Sequence, residues 1–322
     1  MNGTPPAGVS GPSVTEPQAV LVNGRLRHQP PGHELDTGIS AERGQEDILA
    51  PGAAGNGISP FDRGLHFGDG LFETIACRRG RARFLPWHLE RLALGCERLH
   101  MTGASLDEVR NEVRMLARNA HGAIVKVILT RGVATARGYA PSGSEVPTRI
   151  CLSYRWPLED LAVGQSGVQI RTATIRLGEN PALAGLKHLN RLEQVLAKAE
   201  STDQRIAESL LFSRSGRLVS GTMSNVFIVR KSRVHTPRLD LCGVAGIMRR
   251  VVLTEAAHIG IAAEECILRA EDLANADEVF LTNARIGIWP VRALDDRTLE
   301  PGPVTRRLQE RLEPMLEDPP DV

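Results

Sequence analysis

The chain predicts a two-domain α/β fold, with strands and helices layered in the α+β manner. Three observations carry that expectation. Its 322 residues allow about two domains at roughly 150 residues each. Strand-like runs alternate with helix-like periodicities in both halves. The segment Tyr154 to Gly164 reads as a crossing between the halves, giving expected domains at 18–157 and 158–322.

The elements follow in order. Residues 1–17 are rich in Pro, Gly, Ser and Thr without periodicity and read as a disordered tail. Ala19–Asn23 is a short strand, and Gly24 its turn. Residues 26–57 carry Pro30, Pro31, Gly32, Gly52, Gly55 and Gly57 and read as an insertion or disordered loop. Leu85, Leu89, Leu92, Cys96 and Leu99 recur at helical spacing. Ser105 with Glu108 makes a capping box for a helix lined by Val109, Val113 and Leu116. Ala123–Leu129 and Ile150–Tyr154 are strands, separated by a polar, glycine-rich loop from Thr130 to Pro147.

In the second half Val168–Ile175 alternates as a strand. A helix over Asn190–Glu200 places Leu192, Val195, Leu196 and Ala199 on one face. Leu210–Phe212 and Val226–Val229 are strands, with a turn at Ser215-Gly216. A helix from Ile247 ends near Gly260, a residue suited to a C-terminal cap. Glu278–Thr282 and Ile286–Val291 are strands, and Val304, Leu308, Leu312 and Met315 line a closing helix.

Composition narrows the function. The 39 basic and 38 acidic residues leave a net charge of +1, so neither nucleic acid nor an anionic membrane is an expected partner. The best apolar run, Ala123 to Leu129, is broken by Lys126 and is too short to span a bilayer. No secretory leader is visible. The five cysteines show no CxxC spacing, which predicts reduced thiols in a cytoplasmic protein. No zinc-binding spacing occurs either, so no metal is expected.

Gly185-Leu186-Lys187-His188-Leu189-Asn190-Arg191 stands out. A loop lysine is ordinarily a solvated charge. In a partly dry pocket its pKa drops from about 10.4 toward 7–8, and the free amine becomes a nucleophile and proton carrier. Lys187 through Gln194 resembles the lysine segment of aminodeoxychorismate lyases, within the class IV aminotransferase family of pyridoxal 5'-phosphate enzymes. Further segments resemble that family in the same order: Asp62-Arg63-Gly64, Phe67 through Thr74, His88 through Leu92, Arg137-Gly138-Tyr139, Ser224 through Phe227, and Gly243 through Arg249. They span roughly residues 58–292. Branched-chain and D-amino-acid transaminases share most of these segments.

The resemblance implies a small N-terminal α/β domain and a larger C-terminal mixed α/β pseudo-barrel carrying the Schiff-base lysine, Lys187. It implies that Arg91 binds the cofactor phosphate, where a planar guanidinium suits the anion. Gly246, Ile247 and Met248 would offer backbone N–H groups to the same phosphate at a helix start. Asn283 would touch the phosphate. Ser220 and Asn225 would lie against the cofactor, and Arg137 and Thr74 would serve the substrate. His66, His88 and His188 have no metal-ligand spacing, and a structural hydrogen-bonding role is expected for each.

Two departures stand out. The 26–57 stretch separates the first strand from Ser59-Pro60-Phe61-Asp62, which the family joins closely. Five residues before Asn225, where the family usually carries a glutamate for the pyridine nitrogen, this chain has Ser220. A hydroxyl makes a weaker electron sink than a carboxylate does. That favours a lyase, whose product gains aromaticity, over a transaminase. The implied reaction converts 4-amino-4-deoxychorismate to 4-aminobenzoate and pyruvate, as in folate biosynthesis, in a homodimer. The rivals are a D-amino-acid or branched-chain aminotransferase and a catalytically silent homologue.

Overall fold

A tight hairpin opens the first sheet. Strands β1 (Ala19–Val22) and β2 (Arg25–His28) turn on Asn23 and Gly24. Both turn residues take positive φ, 48° and 77°, as the two-residue turn that matches strand twist requires. The computed structural model describes residues 17–28, 57–118, 122–134, 137–156, 164 and 166–319. β2 therefore runs three residues into the stretch read as a loop from 26. Residues 1–16 and 29–56, which hold most of the expected tail and insertion, lie outside the described residues, as does 157–163 of the expected crossing.

The smaller half continues with α1 (Arg63–Phe67), β3 (Gly70–Arg78), β4 (Arg81–Ala82), α2 (Leu85–Arg98), α3 (Leu106–Ala117), β5 (Gly122–Thr130) and β6 (Thr148–Arg155). Its strands form an antiparallel sheet in the order β2-β1-β6-β5-β3-β4. One face is apolar because alternate residues point the same way. Leu71, Ile75, Val125, Val127 and Leu129 meet Leu85, Leu89, Leu92 and Cys96 of α2 and Val109, Val113 and Leu116 of α3. Ser105 caps α3 by accepting from the Glu108 N–H, the first half of the expected capping box, while the Glu108 carboxylate pairs with Arg149.

The larger half contains β7 (Val168–Leu177), α4 (Leu192–Ala199), β8 (Ile206–Ser213), β9 (Leu218–Gly221), β10 (Asn225–Arg230), β11 (Arg233–Pro237), α5 (Ile247–His258), β12 (Ala263–Cys266), α6 (Ala270–Ala274), β13 (Glu278–Asn283), β14 (Gly287–Leu294), β15 (Arg297–Thr298) and α7 (Pro303–Glu317). The nine-stranded sheet runs β12-β11-β10-β13-β14-β7-β8-β9, with β15 beside β14. It is mixed, with parallel pairs β11/β12, β14/β7 and β7/β8. Its end strand β9 lies against β10 and β11, so the sheet curls on itself into the expected pseudo-barrel. Val226 and Ile228 of β10 pack inside with Ile170, Leu210 and Leu281. Phe227 and Val229 pack outside under α5 and α7. Burial on both faces explains why β10 reads as a continuous apolar run.

α4 forms within the expected range. Leu192, Val195 and Leu196 form an apolar stripe, yet they are 76%, 58% and 57% exposed. The helix docks on the fold through the small side chain of Ala197 instead.

Candidate active site

Lys187 sits in an extended segment stitched between the two halves. The Phe72 N–H donates to the Lys187 carbonyl at 2.9 Å, and the Leu189 N–H donates to Gly70 O at 3.0 Å. On the other side Gly185 bridges Val244, with Gly185 N–H to Gly243 O at 2.9 Å and Ala245 N–H to Gly185 O at 3.0 Å. The lysine is half-buried, and its Nζ lies 4.1 Å from the centre of the Phe72 ring. Burial pushes its pKa down to about 7; Arg91 repels the charge further, and Glu73 partly offsets both. At pH 7 roughly half the amine is then neutral, against well under about 0.1% for an ordinary lysine.

Arg91 projects from α2 toward the start of α5. Its Nε donates to Glu73 Oε1 at 2.8 Å, its Nη2 donates to Glu73 Oε2, and its Nη1 donates to Ala245 O at 2.9 Å. Glu73 is buried, and His88 Nδ1 lies 2.7 Å from its Oε2. Burial works against the Glu73 charge, but Arg91 and His88 outweigh it and hold the pKa down to about 2. Burial also keeps His88 below its ordinary value, although Glu73 pulls the other way. His88 thus takes the structural role expected of it. His66 packs edge-on against Phe67. His188 leaves Nδ1 buried without a partner among the described residues, and burial pushes its pKa down to about 4.

The Ala245 carbonyl held by Arg91 immediately precedes Gly246, the N-cap of α5. A Cβ added at Gly246 would stand 1.9 Å from Asn225 Oδ1, so only glycine fits there. Asn225 is fixed by its own Nδ2 donating to Val244 O at 2.9 Å. No side chain caps α5, so the N–H groups of Ile247 and Met248 remain the free donors that any helix start presents. A guanidinium beside such donors is a set suited to a phosphate.

Ser220 lies buried in β9, where its hydroxyl donates to Gly221 O at 2.8 Å. Its oxygen keeps lone pairs to accept another hydrogen bond. Asn283 ends β13; its Nδ2 donates to Met223 O at 3.1 Å, and its Oδ1 accepts from the Arg285 and Ile286 N–H groups. Thr74 is half-buried on β3, on the strand face shared with Phe72. Arg137 is exposed in the loop after β5. That loop is held by Arg63, which donates to Gly138 O at 3.3 Å and to Tyr139 O at 2.6 Å. Arg63 is in turn paired with Asp69.

Three residues went unassigned in the sequence reading. Glu73 stood inside a quoted segment without a role. Glu208 is fully buried and accepts from the N–H groups of Thr222 and Met223 at 3.0 Å and from Ser224 Oγ at 2.9 Å. It thereby shapes the loop between Ser220 and Asn225. Thr282, opposite Asn225 in register, has a buried hydroxyl without a partner among the described residues.

The sequence pattern of the class IV aminotransferases matches residues 70–294. The chain belongs to the class IV aminotransferase family. An aminodeoxychorismate lyase of Vibrio harveyi is 35% identical over 255 residues, covering 78% of this chain and 94% of that protein. A D-alanine aminotransferase of Bacillus licheniformis is 29% identical over 261 residues, 78% of this chain and 89% of that protein. Among solved structures, 4-amino-4-deoxychorismate lyase from Pseudomonas aeruginosa superposes with a TM-score of 0.78 at 43% identity, covering 81% of this chain and 96% of that one. The curled nine-stranded sheet and the smaller antiparallel sheet are thus the class IV fold. Among the described residues no helix is long and apolar enough to cross a membrane.

Proposed function

We infer that the protein is a pyridoxal 5'-phosphate-dependent lyase that converts 4-amino-4-deoxychorismate to 4-aminobenzoate and pyruvate. The observation that carries this reading is the Lys187 amine, brought to about 7 on a segment bonded to the loop that Arg91 and Gly246 shape. The fit to the cofactor is physical. Arg91, Ile247 and Met248 offer donors for a phosphate, the Gly246 site excludes any Cβ, and the amine is free to bond an aldehyde. When bound, the cofactor supplies an electron sink conjugated to the substrate nitrogen.

The chain's own residues do the rest. Lys187 Nζ, neutral for about half the time at pH 7, takes the proton from substrate C4. The same Nζ, then protonated, is the donor placed to return a proton. The enolpyruvyl C–O bond breaks, and the leaving fragment becomes pyruvate on protonation. Phe72 lies beneath the amine and keeps water from one side of it. Glu73 neutralises Arg91 from behind and offsets part of the Lys187 depression. Ser220 would accept from the cofactor's ring nitrogen. Arg137 would bind a substrate carboxylate, and Thr74 would assist proton delivery. Ser220 offers no carboxylate to hold ring charge, which suits a reaction driven by aromatisation rather than amino transfer.

We place this activity in folate biosynthesis and in the cytoplasm. We also propose a homodimer, with the exposed stripe Leu192, Val195 and Leu196 covered by a second copy. The deciding experiment incubates the purified holoprotein with aminodeoxychorismate and no keto acid. 4-Aminobenzoate and pyruvate should appear in equal amounts. Turnover that requires a keto-acid acceptor would instead establish a transaminase.

A further inference from the structure

The edge of the larger sheet carries a second chemical cluster. β12 is the last strand there and pairs in parallel with β11, with His235 opposite Glu264 and Pro237 opposite Cys266. Glu264 and Cys266 are two apart on an extended strand, so they point to one face. Glu265 between them points to the other face and pairs with Arg249. His235 Nδ1 lies 3.0 Å from Glu264 Oε1 and 3.9 Å from Cys266 Sγ. The three donor atoms all lie within 4.8 Å of one another.

Those separations come within a few tenths of an ångström of a coordination polyhedron. Bonds of about 2.0–2.1 Å to nitrogen and oxygen and about 2.3 Å to sulfur, at tetrahedral angles, set donor–donor edges of roughly 3.3–3.6 Å. The observed 3.0 and 3.9 Å bracket that range. A divalent cation among the three would take one ligand atom from each residue.

We propose that His235, Glu264 and Cys266 form a binding site for a zinc-class divalent metal ion on the sheet edge. An imidazole, a carboxylate and a thiolate together select a borderline ion such as Zn²⁺ over Mg²⁺ or Ca²⁺. Three protein ligands leave the fourth position to water. Glu264, 51% exposed along its side chain, marks the entry path. Binding releases the thiol proton and leaves the imidazole protonated on Nε2 alone. Occupancy ties β12 to β11 and strengthens a sheet edge otherwise joined by one strand pair.

Co²⁺ is the probe, added alone to the metal-free holoprotein and followed by difference absorption, with Zn²⁺ as competitor. One equivalent should produce a thiolate-to-cobalt charge-transfer band and the d–d bands of tetrahedral geometry, both removed by Zn²⁺. Cys266→Ser should abolish the charge-transfer band. His235→Gln and Glu264→Gln should each raise the Kd at least about tenfold, the least that loss of a supporting partner costs. Cys242→Ser, at the other half-buried cysteine, should change nothing. The unchanged cofactor absorbance of each variant shows that it is folded. Absence of the charge-transfer band, or its survival in Cys266→Ser, overturns the proposal.

Discussion

Replacing Lys187 by Met should make the cofactor-free protein more stable. The ammonium of Lys187 is ordinary in the unfolded chain, near 10.5, and depressed to about 7 when folded. The native state therefore binds this proton less tightly than the unfolded state does. The cost to folding is complete below pH ~7 and disappears as the pH rises through ~10.5. At about 1.36 kcal/mol per pKa unit the depression corresponds to roughly 5 kcal/mol. The side chain is half-buried, and solvent screening reduces the figure to about 2–4 kcal/mol. Methionine fills similar volume without a charge. At about 2–4 °C per kcal/mol for chains of this order, the apo variant should melt roughly 5–10 °C above apo wild type at pH 6.5. Thermal unfolding of both stripped proteins from pH 6.5 to 10 measures the gap. It should narrow steadily toward pH 10. A variant no more stable at pH 6.5, or a gap that ignores pH, would refute the reasoning.

Glu73→Gln removes a buried carboxylate held near 2, whose charge stabilises the fold above its unfolded value of ~4.5 and loses that effect as the pH falls toward 2. At neutral pH the change should cost about 3 kcal/mol in urea unfolding. It should also move the pH midpoint of cofactor association below about 7, because Glu73 raises the Lys187 pKa; an unmoved midpoint would remove Glu73 from the site. Gly246→Ala should weaken cofactor binding, measured by equilibrium dialysis, because its Cβ displaces the Asn225 amide at about 1–3 kcal/mol of overpacking. Unchanged affinity would show that this turn does not meet the phosphate. Ser220→Glu should raise transaminase activity relative to lyase activity by strengthening the sink at the ring nitrogen. A native enzyme already faster as a transaminase would contradict that reading.

The features legible in the sequence are those fixed by local chemistry. The α2 and α3 faces, the Ser105 cap, the turn at Gly24 and the apolar run of β10 each follow from periodicity or backbone preference within a few residues. The family segments singled out Lys187, Arg91 and Gly246 as candidates, and the fold brings Arg91 to the start of α5. Long-range pairing was not legible. Glu73 and Glu208 are mid-strand carboxylates, which ordinarily face water; here they are buried because donors from distant segments converge on them. The apolar stripe of α4 was legible, but its exposure was not, since periodicity shows that a face is apolar and not what covers it.

Lys187 belongs to neither half alone. Its backbone hydrogen-bonds to β3 of the smaller sheet, and residues just before it hydrogen-bond to the loop ahead of α5 in the larger one. Any shear between the sheets must strain or break one of those ladders, moving the amine relative to Arg91 and the start of α5. The position of Nζ is therefore mechanically coupled to how the two bodies sit together. Amide exchange at Phe72, Leu189 and Ala245 should slow together when a ligand locks that arrangement.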